Sequence, residues 1–111
     1  MSRADLENAQ PDLGAALNRL WERFLPEMSR RAAILEAAAS ALAQGSLSPA
    51  QKQEAASAAH KLAGILGTFN LERGTELARR LETLFLNTES PDPSVALQLA
   101  EQVRSIVESR K

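Results

Sequence analysis

The sequence predicts an all-α protein, an up-down antiparallel four-helix bundle with an additional short N-terminal helix. The 111 residues include 20 alanines and 17 leucines but only 3 valines and 3 isoleucines, a composition that favours helix over sheet. Apolar residues also recur at three- and four-residue steps between helix-start signals. Because this length supports one hydrophobic core, we predict a polar N-terminal lead-in over residues 1–11 and a single domain over residues 12–111.

The first two predicted helices meet at Pro26. Asp12 is the expected N-cap of the first helix, which should end near Leu25 because the residue before a proline avoids the helical region. The second helix then runs from Pro26 to Gly45. One kinked helix through the proline is the alternative. The buried stripe predicted for the first helix contains Leu13, Leu17, Leu20, Trp21 and Phe24.

The next helix has the clearest start signal in the chain. Ser48 is its predicted N-cap, Pro49 occupies the first helical position, and Gln51 completes a capping box. The helix is expected to run to about Phe69, followed by a turn at Asn70, a residue that tolerates left-handed dihedral angles.

Two further helices complete the predicted bundle. One runs from Leu71 to near Asn87, and the last begins at Asp92 and Pro93. Their short connections imply antiparallel neighbours. The residues predicted to face inward from the last helix are Val95, Leu99, Val103, Ile106 and, by the stem of its side chain, Arg110.

Charge and composition exclude several classes of function. The 13 basic and 14 acidic residues give a net charge of -1, which provides no attraction for nucleic acid or an anionic membrane. No apolar run reaches the roughly 20 residues needed to cross a bilayer, and no signal peptide is recognisable. The chain has no cysteine and no His-Glu-x-x-His motif. We therefore expect a cytoplasmic protein without a nucleic-acid partner, a membrane partner or a metal site.

His60 is the only histidine in the chain. At 100° per residue it lies almost opposite the core side of its helix, which is centred near Leu62 and Phe69. Glycine inside a helix costs about 1 kcal/mol relative to alanine, so Gly64 and Gly67 suggest a demand other than folding. The alternative is an ordinary surface histidine on a loosened helix end. The same-face neighbours of His60, nearly all small, are Gln53, Ala56, Ser57, Ala63, Gly64 and Gly67.

The histidine belongs to a spaced pattern that continues onto the next helix. Its members are His60, Leu62, Gly64, Gly67, Phe69, Leu81 and Glu82. This pattern resembles the histidine-containing phosphotransfer (HPt) domain, a family of four-helix bundles with an accessory N-terminal helix. Two positions differ, because many members have lysine where this chain has Ala63 and a glycine where it has Asn70. Lys61, Arg79 or Arg80 would then supply the missing cation.

The resemblance implies a function in a phosphorelay. Nε2 of His60 would accept a phosphoryl group from an aspartyl phosphate on the receiver domain of a response regulator or hybrid kinase, and pass it to another receiver aspartate. Neutral imidazole needs no general base for this reaction, and the receiver would supply Mg²⁺. Since the chain has no G-x-x-x-x-G-K-[ST] loop, we expect a phosphoryl carrier with no cofactor, no ATP site and no autokinase activity.

Two groups of residues are expected to assist His60. Ala63, Gly64, Gly67 and Lys61 would support the site, and a second group would dock the partner. The expected docking residues are Gln53, Ala56, Ser57 and Thr68.

The alternative function is an HPt-like interaction module that binds a receiver or other signalling partner without being phosphorylated. An enzyme with an unrecognised active site ranks third.

Overall fold

The protein consists of four α-helices in a computed structural model, which describes the backbone of residues 3–87 and 91–110 and the side chains of residues 13–87 and 91–110. The helices are α1 (Arg3–Ala43), α2 (Pro49–Thr68), α3 (Glu72–Asn87) and α4 (Pro93–Ser109). Each helix packs against the next, and α4 packs against α1. The predicted all-α bundle is therefore confirmed, and the described residues contain no strand.

Contacts between α1 and α2 show that these neighbours run antiparallel. The ring of Trp21 packs edge to face on Phe69, just after the end of α2, with the ring centroids 5.0 Å apart. Ala38, much later in α1, lines a groove together with Gln51 at the beginning of α2. The short connections after α2 and α3 continue the same up-down arrangement.

The chain does not break at Pro26. The two helices predicted on either side of it form one helix of 41 residues, so the separate short N-terminal helix is not observed, and Asp12 lies within α1. An interior proline costs about 3 kcal/mol. However, Trp21 and Met28 flank Pro26 and are both buried in the same core, and each contributes about 1.5–3 kcal/mol by burial. Core packing across the proline therefore stabilises a continuous helix.

The N-terminal part of α1 extends beyond the bundle. At 1.5 Å per residue, the 41 residues of α1 span about 60 Å, whereas α2, α3 and α4 contain only 20, 16 and 17 residues. Leu13 and Leu17 were predicted to be buried, but they are 65% and 40% exposed, because α1 is about twice as long as α2, the longest helix that could cover it. The predicted lead-in continues α1 over residues 3–11, while residues 1–2 lie outside the described part of the chain.

The predicted start and turn signals around α2 and α4 are confirmed. The Gln51 backbone N–H donates to Ser48 Oγ (3.1 Å), and the Ser48 N–H donates to Gln51 Oε1 (2.8 Å). The Ser94 N–H donates to the Asp92 carboxylate at the beginning of α4 (2.9 Å). Asn70 has a φ of 58°, the left-handed conformation expected for the turn between α2 and α3.

The buried face of α4 agrees with the prediction only at Leu99 and Val103. Val95 was expected to face inward but is 38% exposed. The buried face is rotated by about 60° around the helix from the predicted one and includes two alanines, whose small side chains let the helices approach closely. The buried residues of α4 are Ala96, Leu99, Ala100, Val103 and Val107.

Candidate functional site

Helix α2 presents one exposed stripe to solvent. Its apolar residues face the neighbouring helices, and the residues of the exposed stripe recur at alternating steps of four and three residues. The side chain of His60 is 73% exposed, which confirms the predicted orientation of the histidine. The exposed stripe consists of Gln53, Ser57, His60, Gly64 and Gly67.

Two residues predicted for this exposed stripe are instead buried. Ala56 is only 3% exposed and Ala63 only 5%. Because α2 packs against both α1 and α3, its buried arc is wider than a helix with one neighbour would have. The hydroxyl of Thr75 also donates a hydrogen bond to the Ala63 carbonyl at 3.3 Å, which joins this part of α2 to α3.

The imidazole of His60 is held by a carboxylate from α3. Nδ1 of His60 lies 2.9 Å from Oε2 of Glu82, whose side chain is 26% exposed. An ionised carboxylate can only accept a hydrogen bond, so this contact favours the ring tautomer with the proton on Nδ1 and the lone pair on Nε2. The sequence pattern included Glu82 but not this contact, which joins residues 22 positions apart.

Lys61 is exposed and lies about 100° around α2 from His60. Its charge acts on a carboxylate of α1. The hydrogen bond from Arg31 lowers the pKa of Glu27 on α1, and the charges of Arg30 and Lys61 lower the same pKa further. The positive charge of Lys61 is therefore close enough to interact with α1. This position does not favour Lys61 as the cation beside the histidine ring.

Arg79 lies on the face of α3 that adjoins the exposed stripe. At 100° per residue, Thr75, Arg79 and Glu82 fall within about 60° of one another. Thr75 and Glu82 both form hydrogen bonds to α2, so this face is turned toward α2. Arg80 lies about 160° around the helix from Glu82. Of the two arginines, only Arg79 shares the face of Glu82.

The two glycines beside His60 are not required by packing within the protein. A Cβ atom added at Gly64 would meet no atom within 4 Å, and one at Gly67 would lie at an ordinary distance of 3.6 Å from Thr75 Oγ1. Alanine is favoured over glycine in a helix by about 1 kcal/mol. Both glycines therefore reduce helix stability, and both leave the surface beside the imidazole free of side-chain atoms.

The remaining predicted docking residues are exposed. Gln53 and Ser57 lie on the exposed stripe, and Thr68 is exposed at the end of α2, where its hydroxyl donates to the Gly64 carbonyl at 3.1 Å. Within residues 13–87 and 91–110, no group of three or more His, Asp or Glu side chains could hold a metal ion. None of the helices described is both long and apolar enough to cross a membrane.

Comparison with protein families gives the deciding observation. The family model of the Hpt domain matches residues 19–109, which include both His60 and Glu82. The chain belongs to the Hpt domain family. This Hpt domain is similar to the protein RcaC of Microchaete diplosiphon, with 37% identity over 75 residues. The similar region covers 68% of this chain but 12% of RcaC, and no solved structure matches.

Membership in the family establishes the general role. Hpt domains are phosphotransfer modules of phosphorelays, and they act as carriers of the phosphoryl group. As a family, Hpt domains of phosphorelays interact with receiver domains. The family match begins at residue 19, so the exposed Leu13 and Leu17 lie outside it.

Proposed function

We propose that His60 accepts a phosphoryl group from the aspartyl phosphate of one receiver domain and passes it to an aspartate of another. The observation that carries this proposal is the exposed imidazole, whose Nδ1 lies 2.9 Å from Glu82, which leaves Nε2 as the ring nitrogen that can act as the nucleophile. Gly64 and Gly67 leave space next to the ring. The chain acts as a carrier between receivers and takes no phosphoryl group from ATP.

The proposed transfer needs no proton to move. The Nε2 lone pair attacks the phosphorus atom, the bond from phosphorus to the aspartyl oxygen breaks, and the aspartate carboxylate leaves with the electron pair. Because Nδ1 keeps its proton, the phosphorylated ring becomes positively charged. In the onward step, the acceptor carboxylate attacks phosphorus, the bond from nitrogen to phosphorus breaks, and neutral imidazole leaves.

Glu82 has two roles in this proposal. Its carboxylate keeps the proton on Nδ1, which makes Nε2 the nucleophile in the first step and neutral imidazole the leaving group in the second. Its negative charge also faces the positively charged ring of the phosphorylated intermediate, and a hydrogen bond to a charged group contributes about 1.5–3 kcal/mol. Glu82 is therefore a positioning residue that acts through His60.

Replacement of Glu82 with alanine is expected to slow phosphoryl transfer to His60 by about tenfold, since the hydrogen bond that stabilises the positively charged ring is lost on a partly exposed surface. The onward transfer, in which the ring loses its positive charge, should not be slowed. Stopped-flow measurement of transfer from a phosphorylated receiver, and of onward transfer to an unphosphorylated one, provides the test. Glu82→Gln retains an oxygen that can accept the Nδ1 proton and should recover part of the rate. Equal rates for all three proteins would show that Glu82 does not act on the ring.

Arg79 is the cation that we assign to the missing lysine position. It is exposed on the α3 face that carries Glu82, whereas Lys61 interacts with α1 and Arg80 lies on another face of α3. A guanidinium beside the ring can contact the phosphoryl oxygens during transfer. Receiver groups and Mg²⁺ then supply the remaining stabilisation of charge.

Arg79→Ala should reduce the rate of transfer by about tenfold, the effect expected from loss of one charge-assisted hydrogen bond in a solvated site. The matched control is Arg80→Ala, which removes the same charge from the neighbouring position and should leave the rate within about twofold. Single-turnover transfer at saturating receiver concentration measures both. A larger effect for Arg80 than for Arg79 would refute the assignment.

The direct test of the proposed function uses a receiver domain labelled on its aspartate. Incubation with the Hpt domain should move the label to the Hpt domain, in a form that is labile to acid and stable to base, as expected for phosphohistidine. The interaction-only alternative predicts that wild type and His60→Ala bind the receiver tightly while neither takes up label under any condition. Cytoplasmic location remains a prediction of the sequence.

A further inference from the structure

Leu86 is an exposed apolar residue close to the proposed transfer site. It is 48% exposed and lies one helical turn beyond Glu82, so their Cβ atoms are separated by about 5–6 Å. At 100° per residue it falls within the same 60° arc as Thr75, Arg79 and Glu82. Together with the exposed stripe of α2, these four residues form a surface that we call the α2–α3 face.

Other exposed large apolar residues lie elsewhere in the described structure. Leu13 and Leu17 are on the part of α1 that extends beyond the bundle, and Val95 is on α4, where it lines a groove that also includes Gly67 and Arg79. Leu86 is the one exposed large apolar residue that shares a helix face with the contact to His60. Its location, rather than its exposure alone, requires an explanation.

A protein interface is large enough that a receiver centred on the ring of His60 would also cover Leu86. A stable interface covers about 800 Å² on each partner, equivalent to a disc with a radius of about 16 Å. Because α2 and α3 are antiparallel, Leu86 lies toward the Ser57 side of His60, whereas Arg79 lies toward the Gly64 side. The α2–α3 face thus has an apolar side and a cationic side, separated by the imidazole.

We infer that Leu86 is the apolar anchor for the receiver domain and fixes the orientation in which the receiver docks. This inference rests on the proposed function of His60. The partner must carry an apolar side chain next to its phosphorylated aspartate, opposite Leu86, with its anionic phosphate pocket directed toward Arg79. Truncation of a central apolar anchor weakens binding, whereas loss of a peripheral contact changes it little.

The experiment measures transfer as a function of receiver concentration, using receiver domains phosphorylated on aspartate with acetyl phosphate. Leu86→Ala should raise the half-saturating receiver concentration about tenfold while leaving the maximal transfer rate unchanged. The control Leu17→Ala removes an exposed leucine near the far end of α1 and should not change either value. Phosphoramidate, a small donor with no docking surface, should phosphorylate wild type and Leu86→Ala at equal rates.

The outcomes separate this inference from the proposed function. Efficient transfer with an unchanged half-saturating concentration for Leu86→Ala would overturn the anchor and leave the function of His60 intact. A slower reaction of Leu86→Ala with phosphoramidate would show that the leucine acts on the ring through Glu82, and would also overturn the anchor. If neither donor labels wild type, the proposed function fails and this inference fails with it.

Discussion

The His60→Gln protein is expected to accept no phosphoryl group from a receiver domain. Glutamine keeps a polar side chain on the exposed stripe of α2 but has no nucleophilic ring nitrogen. Because the side chain of His60 is 73% exposed, its replacement should leave the fold unchanged. The measurement is transfer of ³²P from a phosphorylated receiver, with unfolding in urea as a check on stability.

Lys61→Gln is the matched control for this experiment. It introduces the same side chain at the next residue, which is also exposed but lies toward α1. This protein should take up label at nearly the wild-type rate. Acid-labile label that persists on His60→Gln would contradict the assignment of His60 as the acceptor.

Gly64→Leu is expected to slow phosphotransfer by at least about tenfold while the domain remains folded. Gly64 is one helical turn from His60, so the two Cβ positions are about 5–6 Å apart. A leucine side chain there extends into the space next to the imidazole, which the receiver must enter. The transfer rate and the half-saturating receiver concentration measure this effect.

The stability of the Gly64 variants distinguishes obstruction from misfolding. Since a Cβ atom at Gly64 meets nothing within 4 Å, Gly64→Ala should increase the free energy of unfolding by about 0.5–1 kcal/mol. Gln98→Leu places the same bulky residue on the exposed side of α4 and should not change transfer. An unchanged transfer rate for Gly64→Leu would show that the space beside His60 has no role.

Local signals in the sequence predict much of the fold correctly. Ser48 and Asp92 each satisfy backbone N–H groups within three residues, and Asn70 adopts its positive φ within a single turn. Such interactions depend on neighbouring residues, which a sequence shows directly. Pro26 is different, because the burial of Trp21 and Met28 against distant helices outweighs its local preference.

The candidate site was also only partly predictable. The period of α2 correctly predicts the exposure of His60, but burial of Ala56 and Ala63 depends on how closely α1 and α3 approach. The contact between His60 and Glu82 joins two helices and has no signal in the spacing of either one. Choice of Arg79 over Lys61 or Arg80 likewise requires the orientation of α3, which Thr75 and Glu82 establish.

The most direct test of the central claim is the ¹⁵N NMR spectrum of the histidine ring before and after phosphorylation with phosphoramidate. Before the reaction, we expect a neutral ring that is protonated on Nδ1. Afterwards, the phosphoryl group should be on Nε2 and the proton still on Nδ1. A phosphoryl group on Nδ1, or a ring that stays unmodified while another residue is phosphorylated, would contradict the assignment of His60 Nε2 as the nucleophile.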